Sequence, residues 1–185
     1  MAAAALLSRR GAPTRNILVV VGALLPDFCI FVFYIWAKFI AGLENSVIWG
    51  EAYWTEPWLT YGAISNSVPL ALVLLAVGIF WKKTLLSVFA LALLVHAGLD
   101  FPLHADDAHR HFWPLTDWRF ISPVSYWDPD HHRTLGSVLE FSVLTASAIV
   151  LWRRFNARWV RAICALSVLG YVSVSAYLAY AVLQA

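Results

Sequence analysis

The run Leu85-Leu-Ser-Val-Phe-Ala-Leu-Ala-Leu-Leu-Val95 leads directly into His96-Ala-Gly-Leu-Asp100-Phe-Pro102-Leu-His104, and then to Asp106, Asp107, His109 and His111. Four of the six histidines and three of the eleven acidic residues fall within these sixteen positions after Val95. Elsewhere the chain is mostly apolar. Of its 185 residues 61% are hydrophobic and 13% charged, and the mean hydropathy is +0.70. A soluble domain carries about 25% charged residues. Ten Trp, seven Tyr and eleven Phe exceed what a soluble core of this size needs. Composition therefore puts the chain in the membrane class.

Working outward, five apolar stretches approach the roughly 20 residues that about 30 Å of hydrocarbon requires. They are 17–40, 62–81, 84–102, 135–152 and 159–183. The third reaches full length only by taking His96 and Asp100 into its last turns. Nine of the thirteen Lys/Arg precede the first stretch or lie in the turns after the second and fourth: Arg9, Arg10, Arg15, Lys82, Lys83, Arg153, Arg154, Arg158 and Arg161. No acid lies in those segments. Glu44, Glu51, Glu56, Asp106, Asp107, Asp117, Asp128 and Asp130 all lie in the two other loops, 43–61 and 103–133. The Lys/Arg bias sets the N-terminus in the cytoplasm and the C-terminus outside. The expectation is an all-α helical bundle, one integral membrane domain over 1–185, multi-pass in a bacterial inner membrane, with both loops on the outer face. The Arg9-Arg10 start followed by apolar residues reads as a retained span, because Pro26-Asp27 interrupts it and no small-x-small cleavage site follows. Met1–Leu7 is too short to cross and reads as a frayed arm or an interfacial half-turn. Cys29 and Cys164 sit in apolar runs and read as small buried hydrophobes, with no disulfide.

Polar residues inside the spans mark candidate chemistry. Pro26 removes a backbone donor in the first span, so a kink or break is expected there. Asp27 follows it. It either caps the half-helix beginning after Pro26 or serves a site in the bundle, and the two roles are compatible. Ser65, Asn66 and Ser67 in the second span suit bonds to neighbouring helices. Asn66 could also face Asp27. Glu140, in the outer part of the fourth span, is the second intramembrane carboxylate, with His96 or Arg133 as expected partners. The fifth span carries no chemistry; its Tyr177 and Tyr180 read as interface anchors. His96, Asp100 and His104 at i, i+4, i+8 share a helical face if the helix runs through Pro102, but Pro102 makes a break there. Histidine and carboxylate are ligand types for zinc and other first-row metals. Two readings follow: a metal or proton-transfer site, or a hydrogen-bonded polar loop at headgroup level. The aromatics of loop 43–61 suit an interfacial belt or, alternatively, a lipid-binding lip. Phe112-Trp113-Pro114, Trp118, Phe120 and Tyr126-Trp127 suggest an ordered cap. There is no phosphate-binding loop, nucleophile elbow or nucleic-acid signature, and no internal repeat.

Leu25-Pro26-Asp27-Phe28 followed by His96-x-x-x-Asp100 resembles the bacterial family of LexA-binding, inner-membrane-associated metal-dependent hydrolases. The later run Phe112-Trp-Pro-Leu and Ile121-Ser-Pro-Val-Ser-Tyr-Trp127 is similar to a branch of it. The resemblance covers about residues 20–130. The family's N-terminal Thr-His pair and second-span histidine are missing here, and Ser65-Asn66-Ser67 stands in the latter's region. The resemblance implies a membrane hydrolase acting on a phosphoester or lipid-type substrate reached from the outer leaflet. A divalent metal, zinc first among candidates, would be held by His96, Asp100 and one or more of His104, His109 and His111. Asp27 or Glu140 would complete the site or act as general base. The alternative is a non-catalytic accessory or assembly subunit of a larger membrane protein complex. Under either reading the surroundings are membrane lipids, with no nucleic-acid partner.

Overall fold

The computed structural model describes residues 1–126 and 128–184, with side chains through residue 176. Trp127 and the side chains of Tyr177 and Tyr180 lie outside the described residues. Eight α-helices account for most of the rest: α1 (Ala2–Leu7), α2 (Pro13–Ile35), α3 (Asn45–Gly50), α4 (Trp58–Ser65), α5 (Val68–Phe80), α6 (Thr84–Asp100), α7 (Arg133–Arg154) and α8 (Arg158–Gln184). No strand occurs among the described residues. A π-helical turn, Trp36–Ile40, prolongs α2.

Three helical stretches are long and apolar enough to cross a membrane: Pro13–Ile40, Arg133–Arg154 and Arg158–Ala176. A fourth arises if α4 and α5, bent by 41° at their junction, count as one broken span. Helix α6 has 17 residues, about 25 Å at 1.5 Å per residue, just short of the hydrocarbon thickness. It ends at Asp100, with Phe101 still helical in its backbone angles, because Pro102 has no N–H to donate to the Gly98 carbonyl.

Local sequence departs from expectation at three points. First, Pro26 does not break α2, which runs continuously from Pro13 to Ile35 with Pro26 fully buried. The helix is held by a close crossing with α6: a Cβ on Gly22 would lie 2.8 Å from the Phe89 carbonyl oxygen, so only glycine lets the two backbones approach this far. Asp27 therefore caps nothing and sits mid-helix. Second, the 62–81 stretch is broken at Asn66-Ser67. Ser67 Oγ accepts the Leu70 N–H at 3.1 Å, an N-cap for α5. Its hydroxyl donates to the Trp113 carbonyl. The Val68 N–H donates to the His111 carbonyl at 2.8 Å. Backbone groups freed at a break within an apolar span must find partners, and here the loop that follows α6 supplies them.

Third, Met1–Leu7 is neither an arm nor an interfacial turn. Helix α1 inserts into the bundle against α2, α6 and α7. One apolar cluster joins Ala3 to Val19, Val88 and Ala92, and another joins Ala5 to Ala148, Leu151 and Cys164. Alanine side chains are short enough to fit between two already packed halves, α2–α5–α6 and α7–α8. Arginines close this end: Arg15 Nε donates to the Leu7 carbonyl at 2.8 Å, Arg154 donates to the Ser8 carbonyl, and Arg10 donates to the carbonyls of Arg153 and Arg154. Each satisfies a carbonyl at or next to a helix C-terminus, where a cation is favoured.

At the other end, α3 and a 3-10 turn, Ala52–Trp54, fold over α2. Phe33 is the anchor, with the Tyr53 and Trp58 rings at 5.5 and 5.2 Å. Among its described residues the 103–132 cap has no regular helix but is ordered by its aromatics. Phe101 stacks on Phe120 at 4.8 Å, and Phe112 meets Trp118 at 5.7 Å. Arg110 ties this loop to the 43–61 loop through Glu56 at 3.3 Å and pairs within its own loop with Asp117 at 3.3 Å.

Candidate metal centre

Helix α6 delivers His96 and Asp100 one turn apart on one face, and α2 brings Asp27 across from them. His96 Nε2 lies 2.8 Å from Asp100 Oδ2 and 3.6 Å from Asp27 Oδ1. The other ring nitrogen, Nδ1, lies 2.8 Å from the Ala23 carbonyl oxygen. A carbonyl only accepts, so Nδ1 carries a proton, and Nε2 faces the two carboxylates, either protonated and ion-paired with Asp100 or bare and turned toward a cation. Nε2 is buried and has no aligned hydrogen-bond partner despite the short approach of Asp100. A lone pair facing two carboxylates is repulsive unless a cation sits between them. Tetrahedral zinc with bonds near 2.0–2.1 Å keeps its ligand atoms about 3.3 Å apart, and the two distances bracket that value. A histidine tied through its second nitrogen to a carbonyl is also how proteins orient a metal ligand. The residues present therefore fit a divalent ion.

The cap adds a second set. Asp100, His104 and His109 each offer a ligand atom, all within 4.8 Å of one another, as do Asp27, His96 and Asp100. His104 donates from Nδ1 to Asp107 Oδ2 at 2.7 Å, and its Nε2 lies 3.1 Å from the Tyr126 hydroxyl. Burial, the largest single influence, disfavours the charged His104 ring, but the bond to Asp107 and the charges of Asp107, Asp100 and Asp27 together outweigh it and raise the pKa above the ordinary histidine value. His109 is pushed down to about 4, chiefly by burial and then by the neighbouring His104 charge. It is thus neutral across the physiological range, with a lone pair available. The cap's register is set by the Ser122 N–H to the His104 carbonyl at 3.0 Å and by Ser122 Oγ to the Pro102 carbonyl at 2.6 Å.

These groups open into a cavity of about 440 Å³, with Asp27, Asp100, His104 and His109 on one side and Trp49, Tyr53 and Trp54 on the other. That volume lies within the usual range for a small-molecule site, about 300–1,000 Å³. Burial, followed by the nearby Cys29 thiol, pushes the Tyr53 phenol up to about 12, so it stays protonated.

Four of the five expected ligands, His96, Asp100, His104 and His109, come together, and Asp27 joins them. His111 does not. Its ring packs edge-on against Phe101 at 5.5 Å, and its carbonyl serves the break before α5. Burial lowers its pKa. Glu140 is also elsewhere. Its expected partners were His96 or Arg133, but the hydrogen bond runs from the Tyr171 hydroxyl to Glu140 Oε2 at 2.9 Å. Tyr171 was assigned no role from sequence, yet a signal existed. Residues 140 and 171 are about equally distant from the Phe155–Ala157 turn, and an antiparallel hairpin of two helices places such residues at one depth. The roles of Ala23 and Tyr126 left no such signal, because both are long-range contacts. No protein-family model matches the chain, and no curated protein or solved structure matches it.

Proposed function

We propose that this chain is a multi-pass protein of a bacterial inner membrane and a metal-dependent hydrolase, acting on a phosphoester or lipid-type substrate at the outer face. The observation that carries the reading is the convergence of Asp27, His96, Asp100, His104 and His109, from two helices and the cap, with all but His96 lining one cavity. The resemblance through Leu25-Pro26-Asp27 and His96-x-x-x-Asp100 points the same way. Five crossings with the N-terminus inside follow if α4–α5 is one broken span and α6 a short one, and the distribution of Lys/Arg supports that sidedness. A divalent ion, zinc by ligand type, supplies Lewis acidity and makes water nucleophilic near neutral pH. The protein's own groups do the rest. The Ala23 carbonyl and Asp107 fix the tautomers of His96 and His104. Asp27, whose side chain is 45% open, accepts a proton from water as general base. The Tyr126 hydroxyl donates to a substrate oxygen, and Trp49, Tyr53 and Trp54 exclude solvent. Glu140, bonded to Tyr171, takes no part in this scheme.

Elemental analysis of the dialysed, detergent-purified protein tests this reading. At least one divalent ion per chain is expected, and the ion should be lost in His96→Ala and Asp100→Asn. A chain that holds no stoichiometric metal, even after metal is added back, refutes it.

A second reading, an accessory subunit of a larger membrane complex, is favoured by the apolar surface of the cap, where Leu115 is 78% exposed beside exposed Trp118 and Ile121. Its test is co-purification with a partner in fixed stoichiometry, with function unchanged when His96 and Asp100 become Ala.

A further inference from the structure

We propose that the centre binds two divalent cations that share Asp100. The inner ion would be held by one carboxylate oxygen of Asp27, by His96 and by Asp100, leaving the second Asp27 oxygen to act as base, and the outer ion by Asp100, His104 and His109. This rests on the metal-centre reading and deepens it.

Three observations support a pair. The two ligand sets each close within 4.8 Å, and Asp100 is their only common member. A carboxylate has two oxygens and can serve both sides, which suits ion pairs about 3.5–4 Å apart. Next, each set contains a histidine whose Nδ1 is already committed, to the Ala23 carbonyl in one and to Asp107 in the other. Two independently tethered histidines gathered around the same carboxylate are more than one ion requires. Finally, charge favours two. Asp27, Asp100 and Asp107 bring three negative charges into one cavity. With the histidines neutral, as metal ligation requires of them, one divalent ion leaves a negative charge uncompensated, and an anionic phosphoester is repelled. Two ions leave one positive charge, and the same substrate is attracted.

The two sites differ in support. Asp27 and His96 stand on packed helices, whereas His104 and His109 stand on the irregular cap. The outer ion should therefore bind more weakly and leave first on dialysis. On loading, His104 Nε2 exchanges its contact with the Tyr126 hydroxyl for the ion.

Manganese is the probe. Protein dialysed against a chelator and reloaded with excess Mn²⁺ should retain two ions per chain and give an exchange-coupled electron paramagnetic resonance spectrum. His109→Gln and, separately, His104→Gln should retain one ion and give the spectrum of an isolated ion. His111→Gln should retain both, because His111 belongs to neither set, and it controls for damage to the cap. One ion in the wild type, unchanged in His109→Gln, overturns the pair while leaving the metal-centre reading intact. Two ions that persist in both single variants overturn the assignment of the outer ligands. No ion in the wild type removes both readings.

Discussion

Replacing Gly22 with alanine would place a methyl group 2.8 Å from the Phe89 carbonyl oxygen and 2.9 Å from the Ala92 Cβ. Ordinary carbon contacts lie at about 3.5–4.0 Å, so α2 must move off α6 by roughly 0.6 Å or more. The obstacles are backbone and a Cβ, which cannot rotate away. Overpacking of this kind costs about 1–3 kcal/mol. Alanine also gains about 1 kcal/mol of helix propensity over glycine, which would blur the result taken alone. Gly170→Ala in α8 removes that ambiguity: its Cβ would meet nothing within 4 Å, so only the propensity gain remains. The difference between the two variants is the packing term, about 1–3 kcal/mol against Gly22→Ala. Reversible unfolding in mixed micelles at fixed detergent composition measures it. The same separation would draw the Ala23 carbonyl from His96 Nδ1, so Gly22→Ala should also weaken metal retention, whereas Gly170→Ala should not. Two variants equal in stability to within about 0.5 kcal/mol would refute the close α2–α6 crossing.

Three more outcomes are expected. Ser67→Ala loses the N-cap of α5 and the tie to the Trp113 carbonyl, a cost of about 1–2 kcal/mol; limited proteolysis should then cut the cap faster, and an unchanged digestion pattern would argue against the cap's anchorage there. Glu140→Gln keeps an acceptor for Tyr171 and should leave bound metal unchanged, whereas Tyr171→Phe strands the carboxylate and should cost about 1–3 kcal/mol; loss of metal in Glu140→Gln would bring Glu140 back into the centre. With native cysteines replaced, Leu115→Cys should react with a membrane-impermeant maleimide on spheroplasts and Lys82→Cys should not; the reverse labelling would invert the topology.

Several features were legible because they are local. The apolar runs behind α2, α7 and α8 depend only on composition over some twenty residues. The His96–Asp100 pair depends only on one helical turn. Pro102 ends α6 by lacking the N–H that the next helical bond needs. The same local logic failed at Pro26, where tight packing on α6 overrides the tendency to break. It also failed at Asn66-Ser67, where hydropathy is insensitive to a break whose polar groups are satisfied by a loop some 45 residues away in sequence.

The sequence by itself determined which segments are long and apolar enough to cross a membrane and which residues carry the polar chemistry, because the length of an apolar run and the spacing of polar groups along a helix are properties of short segments. Only the tertiary structure decided which of those residues meet. Asp27 lies about seventy residues before His96, and it joins the site because Gly22 lets α2 touch α6. His109 joins and His111 does not, because the cap's register, set by Ser122 and by the His111 carbonyl at Val68, turns one ring toward Asp100 and the other against Phe101. Glu140 fell to Tyr171 because an antiparallel hairpin matches depth with depth. Such choices depend on distances between segments remote in sequence, and no periodicity along one segment contains them.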